Sequence, residues 1–106
     1  MKTTLLIVSL VLGAASVQAQ AISSTKVCDK ANTDNRLNGM SIDQCRCMAQ
    51  IAQQNLSPEL YVLWTEALYS GESRMKEMES LKQSQRKTHS QLKKTVLLSK
   101  KKCGLS

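Results

Sequence analysis

The chain has 106 residues, with fifteen Lys and Arg against eight Asp and Glu, a formal charge of +7, and four Cys. This length excludes a TIM barrel, a dinucleotide-binding fold and any multidomain enzyme, because each needs more strands and helices than the chain can supply. What remains is one small domain whose charge and cysteines have to be explained.

The first segment has the pattern of a leader. Lys2 precedes an apolar run over residues 5–15, and small residues follow, as in a cleaved secretory signal peptide over residues 1–21. Ala19-Gln20-Ala21 is the stricter small-x-small match and Val17-Gln18-Ala19 the alternative, so cleavage is expected after Ala21 or Ala19. The run is shorter than the ~20 apolar residues of a spanning helix, and no integral membrane segment is expected once the leader is gone. The remaining domain, residues 22–106, is expected to be exported, to a periplasm by preference or to the outside. In such compartments an even number of Cys in a small chain forms disulfides, each contributing roughly 2–4 kcal/mol. A domain of this size buries only about 60% of its unfolded surface, so such staples matter.

Helix signals then recur in order. A short helix is expected to start near Ser24, to carry Val27, Cys28 and Ala31, and to end by Gly39. Ser41, with Gln44 three residues on, has the form of a capping box. Behind it Cys45, Met48, Ala49, Ala52 and Leu56 share one face by their three- and four-residue spacing. Ser57-Pro58-Glu59 restarts the helix, with Ser at the cap, Pro at the first position and Glu in the first turn. Leu60, Leu63, Trp64, Ala67 and Leu68 form a broad stripe up to Gly71, a C-terminal cap. Tyr61, Trp64 and Tyr69 all fall in this helix, which places it at the centre of the core.

Beyond Gly71, residues 73–103 are expected to form one long rod, since no Gly or Pro interrupts them, with two helices joined around Gln83 to Ser90 as the alternative. Met75, Met78, Leu81, Leu92, Val96 and Cys103 are its expected apolar stripe, although residues 82–91 are all polar. The fold class is therefore all-α: a disulfide-stapled helical hairpin of two long antiparallel arms, the first broken at Ser57-Pro58, plus a short N-terminal helix. Arms 41–70 and 73–103, each about 45 Å long, fold back at Gly71 so that position numbers adding to about 143 lie side by side. That register brings Cys103 near residue 40, within adjustment of Cys45.

Cys45-Arg46-Cys47 is the most distinctive local motif. Side chains two apart on a helix diverge by roughly 200°, so the two cysteines suit different partners. The expected pairs are Cys45–Cys103 and Cys28–Cys47. A Cys45–Cys47 ring would be a thiol-redox site, but the C-x-x-C spacing of that chemistry is missing. A copper site using Cys45, Cys47, Met48, Met75, Met78 and His89 is a minor reading, because disulfides leave no thiolate ligand. No metal and no cofactor are expected. Catalysis has little support: the single His has no nucleophile motif beside it, and Glu59, Glu66, Glu72, Glu77 and Glu79 are placed as helix-surface charges.

Charge is uneven along the mature chain. Residues 22–72 hold four basic and six acidic side chains, net −2, whereas residues 73–106 hold ten basic and two acidic, net +8. Lys82, Arg86, Lys87, Lys93, Lys94, Lys100, Lys101 and Lys102 form a candidate anion-binding surface. No aromatics are interleaved with them, which argues against nucleic acid. An unidentified protein or an anionic envelope surface is the expected partner. The functional expectation is a small exported, non-catalytic helical binding module. The alternatives are an electrostatic binder of anionic envelope surface and a periplasmic stress chaperone; in outline the chain resembles small acid-stress chaperones, which are short, exported, helical and disulfide-tied.

Overall fold

The computed structural model describes residues 20–105. The expected leader falls outside them through residue 19. The described residues form helices and no strands: α1 (Ser24–Thr33), α2 (Ile42–Asn55), α3 (Pro58–Ser70), α4 (Met75–Glu79) and α5 (Gln85–Cys103).

The local signals act as anticipated at most helix ends. Ser23 Oγ accepts from Lys26 N–H and starts α1. At α2 the capping box is complete: Gln44 N–H donates to Ser41 Oγ at 3.0 Å, and Ser41 N–H donates to Gln44 Oε1 at 2.9 Å. Pro58 opens α3, and Gly71 closes it in the left-handed conformation at φ 78°. Ser57 departs from the expected pattern, because its hydroxyl makes no cap bond. Its N–H donates instead to Gln91 Oε1 at 3.0 Å, across to α5.

Two apolar clusters make the core. Cys28, Ala31, Leu37 and Cys45 join α1 to α2, with Met40 and Ile42 packed at the edge. Ala52, Leu56, Leu60, Tyr61 and Met78 join α2, α3 and α4, with Leu63, Trp64, Leu81 and Leu92 against them. Tyr61 and Trp64 stack with ring centroids 6.0 Å apart, in keeping with α3 as the centre of the core. Tyr69 is the exception among the aromatics and is exposed.

The rod expected over residues 73–103 is broken. Residues 80–84 leave the helix, and Ser84 restarts it by accepting from Lys87 N–H at 3.1 Å. A serine cap thus restarts the helix without any Gly or Pro in the segment. The break also gives polar residues partners: Gln83 Nε2 donates to Thr88 Oγ1 at 2.8 Å, and Glu79 meets His89 Nε2 at 2.8 Å across the gap.

That break resets the hairpin's register. Before it Arg74 lies opposite Glu66, at 3.0 Å, close to the expected alignment. After it Gln91 lies opposite Ser57, and Gln44 Nε2 donates to the carbonyl of Cys103 at 3.3 Å. The non-helical residues take up chain without advancing along the axis. Cys103 therefore stops about two turns short of residue 40 and meets Cys47.

The disulfides are Cys28–Cys45 and Cys47–Cys103. The two members of the C-x-C motif do bond apart, but the expected pairs, Cys45–Cys103 and Cys28–Cys47, are corrected. The stripe of Cys45, Ala49, Ala52 and Leu56 faces α1 and α3, so Cys45 meets Cys28. The opposite stripe, with Gln44 and Cys47, is the one turned to α5.

The expected apolar stripe of the second arm holds at Met78, Leu81, Leu92 and Cys103 and is corrected at Met75 and Val96. Met75 is 40% exposed and Val96 53%. The face of α5 turned inward is Thr88, Thr95, Ser99 and Cys103, with Leu92 half-buried. Thr95 Oγ1 donates to the Gln91 carbonyl at 2.9 Å, which satisfies the hydroxyl within its own helix and lets it enter the interface.

Candidate binding surface

Of the cations that precede α5, Lys30, Arg36, Arg46 and Arg74 are paired within the molecule, whereas Lys26, Lys76 and Lys82 form no ion pair among the described residues. Arg36 donates to the carbonyls of Leu68, at 2.6 Å, and Tyr69, at 3.0 Å, and so closes the C-terminal end of α3. Its guanidinium also packs where a Cβ on Gly71 would sit, 3.0 Å from its Nε, so glycine is needed there for space as well as for φ. Lys30 and Arg36 both bond Asp34, at 2.8 and 3.2 Å. The Lys30 hydrogen bond first, and that of Arg36 next, hold the Asp34 carboxyl below its ordinary value. Arg46 reaches Asp29 at 3.9 Å, and Arg74 bridges Glu66 and Glu77.

α5 behaves differently. In its nineteen residues there are seven Lys and Arg and no Asp or Glu. Among the described residues none of these seven cations forms an ion pair; the one acid that reaches α5 bonds His89. Arg86, Lys87, Lys93, Lys94, Lys100, Lys101 and Lys102 are all exposed. Lys100, Lys101 and Lys102 occupy the last turn, where the helix dipole favours positive charge.

The expected surface residues are not all brought together. Lys93, Lys94, Lys100 and Lys101 stand three and four positions from Leu97 on both sides, so they surround it on the helix surface. Arg86 lies on the same outer line, one further step toward the N-terminus. Lys102 is rotated away, toward the edge of the α2 contact. Lys82 is outside α5, in the linker, where it and Lys87 line a cleft with Ser57 and Glu59.

Leu97 is 55% exposed at the centre of this ring, and Val96 stands on its flank next to Lys100. Both were missed as surface residues. The signal was present: a leucine whose neighbours at i±3 and i±4 are all lysine cannot face a core, since four ammonium groups would go in with it.

The other candidate chemistry is not gathered. All four cysteines are oxidised and none is free. Met75 is exposed while Met78 is buried, so these two thioethers do not converge. Among the described residues no group of three or more His, Cys, Asp or Glu is placed to hold a metal ion. Burial raises the Tyr61 phenol above its usual value. No helix of the described residues is long and apolar enough to cross a membrane.

The fold and this surface define an all-α, two-disulfide protein with one single-sign helix face. No protein-family model matches the chain, and comparison with curated proteins and with solved structures finds no match.

Proposed function

We propose that this protein is an exported, non-catalytic binding module that presents the outer face of α5 to an anionic partner. The observation that carries this reading is the contrast in charge pairing: α5 holds seven cations, no acid and no ion pair, on a helix stapled to the rest of the fold. Unpaired charge of one sign costs self-repulsion, and a bound anion relieves it. α1 to α3 then act as the rigid support. Export is supported by the leader pattern and by the presence of two disulfides, which persist in oxidising compartments.

The test compares the oxidised protein with K93Q/K94Q/K100Q/K101Q for binding to a soluble polyanion such as heparin over a range of salt. Glutamine keeps a polar, unbranched side chain and the helix propensity while removing the charge. The expected result is binding that weakens steeply with salt, and that the quadruple variant loses by roughly tenfold or more. Equal binding by the variant, or none by either protein at low salt, overturns the reading.

A further inference from the structure

Resting on that reading, we infer that the surface α5 takes is an anionic lipid bilayer, with Leu97 and Val96 entering the headgroup region and Lys93, Lys94, Lys100 and Lys101 pairing with lipid phosphates. Three observations select a bilayer over an acidic protein or a soluble polyanion.

The first is the arrangement of apolar and charged groups. Leu97 is 55% and Val96 53% exposed, and lysines surround the leucine on every helical neighbour position. Lysine stems reach several ångströms from the helix, so their ammonium groups can stay at phosphate level while a short aliphatic side chain between them goes deeper. A soluble polyanion offers nothing to Leu97. A bilayer offers both layers in the right order.

The second is the kind of cation. Among the described residues three of the four cations that hold fixed acceptors are arginines, Arg36 on Asp34 and two carbonyls, Arg46 on Asp29 and Arg74 on Glu66 and Glu77; the fourth is Lys30 on Asp34. The four residues around Leu97 are all lysine, compact point charges without the planar fork that fixed carboxylates favour. A diffuse field of mobile headgroups needs no fork. The face also lacks the Trp and Tyr anchors that dominate protein–protein hot spots.

The third is shape. α5 is a helix of nineteen residues, about 28 Å long. Its inward side is fixed to α2 by Cys47–Cys103 and by Gln44 at the Cys103 carbonyl. On its outer side Lys93, Lys94, Val96, Leu97, Lys100 and Lys101 are all exposed. The Thr88, Thr95 and Ser99 face is already buried, so the helix needs no refolding to present the opposite one.

Co-sedimentation of the oxidised, exported form with vesicles of equimolar phosphatidylglycerol and phosphatidylcholine, against phosphatidylcholine alone, tests this directly. Binding is expected to the anionic vesicles only, and to fall about fivefold for each lysine changed to glutamine. L97S is expected to weaken vesicle binding roughly tenfold, since it removes the apolar area that would leave water. The same variant is expected to bind heparin as the unmodified protein does. L97S is accepted only with an unchanged circular dichroism melt, which its exposure leads us to expect; L97Q serves in its place otherwise. Heparin binding without vesicle binding, or vesicle binding unaffected by both leucine variants, overturns the lipid assignment while the anionic-partner reading stands. Absence of binding to heparin and vesicles alike at low salt overturns both.

Discussion

Along α1 to α3 and along α5 the same two kinds of residue, small side chains and cations, are put to different uses. Between Ser24 and Ser70 the buried positions are mostly apolar, with Val27, Cys28, Ala52 and Leu60 completely enclosed. Three of the four cations there are paired, as Arg36 is at the α3 carbonyls, Lys30 at Asp34 and Arg46 at Asp29. Along α5 the buried positions are Thr88, Thr95, Ser99 and Cys103, while Leu97 and every cation face outward. The first region is held by burial of apolar area. The second is held by close approach of small hydroxyl side chains, by bonds from Gln44 and Gln91, and by a disulfide. A helix fastened in this way can leave its larger aliphatic side chains free for another surface.

The largest expected effect comes from removing that fastening. C47S/C103S opens a loop spanning a sequence separation of 56 and should lower stability by about 4 kcal/mol in the chain-entropy account. In hydrogen exchange, protection should fall first at the α5 amides and later in α1 and α2, which keep Cys28–Cys45. Uniform loss of protection across the chain would show that α5 is as integral to the core as α3.

Next in size is a pair of leucines. Leu60 is fully enclosed, and L60A should cost about 3 kcal/mol in denaturant unfolding. Leu97 is 55% exposed, and the change to Ala there should stay within about 0.5 kcal/mol. Similar costs at the two positions would contradict the assignment of α5's outward face.

The smallest effect concerns charge. The folded Asp34 carboxyl lies below its ordinary value of 3.8 because Lys30, and then Arg36, favour the ionised form. Its stabilisation is present above the unfolded value and is lost as pH falls through the folded one. D34N should therefore flatten the decline of stability below pH 3.8, with a slight loss at neutral pH that surface pairing makes small. Equal acid slopes in the variant and the parent would remove Asp34 as a contributor.

Several features were legible because they depend on residues within one turn of each other. The Ser41–Gln44 capping box, Pro58 at the start of α3 and Gly71 at its end form from local geometry, and all three stand where the spacing put them. The cationic character of the last helix was equally plain, since composition alone sets it. The break at residues 80–84 was less so, because a polar run without Gly or Pro is compatible with helix and with turn. What ended the helix was the offer of partners at a distance: Thr88 to Gln83, His89 to Glu79, Ser57 to Gln91.

The sequence by itself determined an all-helical chain, helix ends at Ser41, Pro58 and Gly71, cysteines of the C-x-C bonding to different helices, and a basic final helix. Tertiary structure alone decided the register, the pairs Cys28–Cys45 and Cys47–Cys103, and which side of α5 faces in. The reason is the range of the forces involved. Caps and periodicity act through neighbours on the same turn, whereas register accumulates over a whole arm and shifts with every residue a linker absorbs. Burial of Thr88, Thr95 and Ser99 in place of Val96 and Leu97 follows from the same limit: hydropathy ranks side chains singly, but a helix that approaches another closely selects small side chains, two of which, Thr88 and Thr95, are hydrogen-bonded through their hydroxyls.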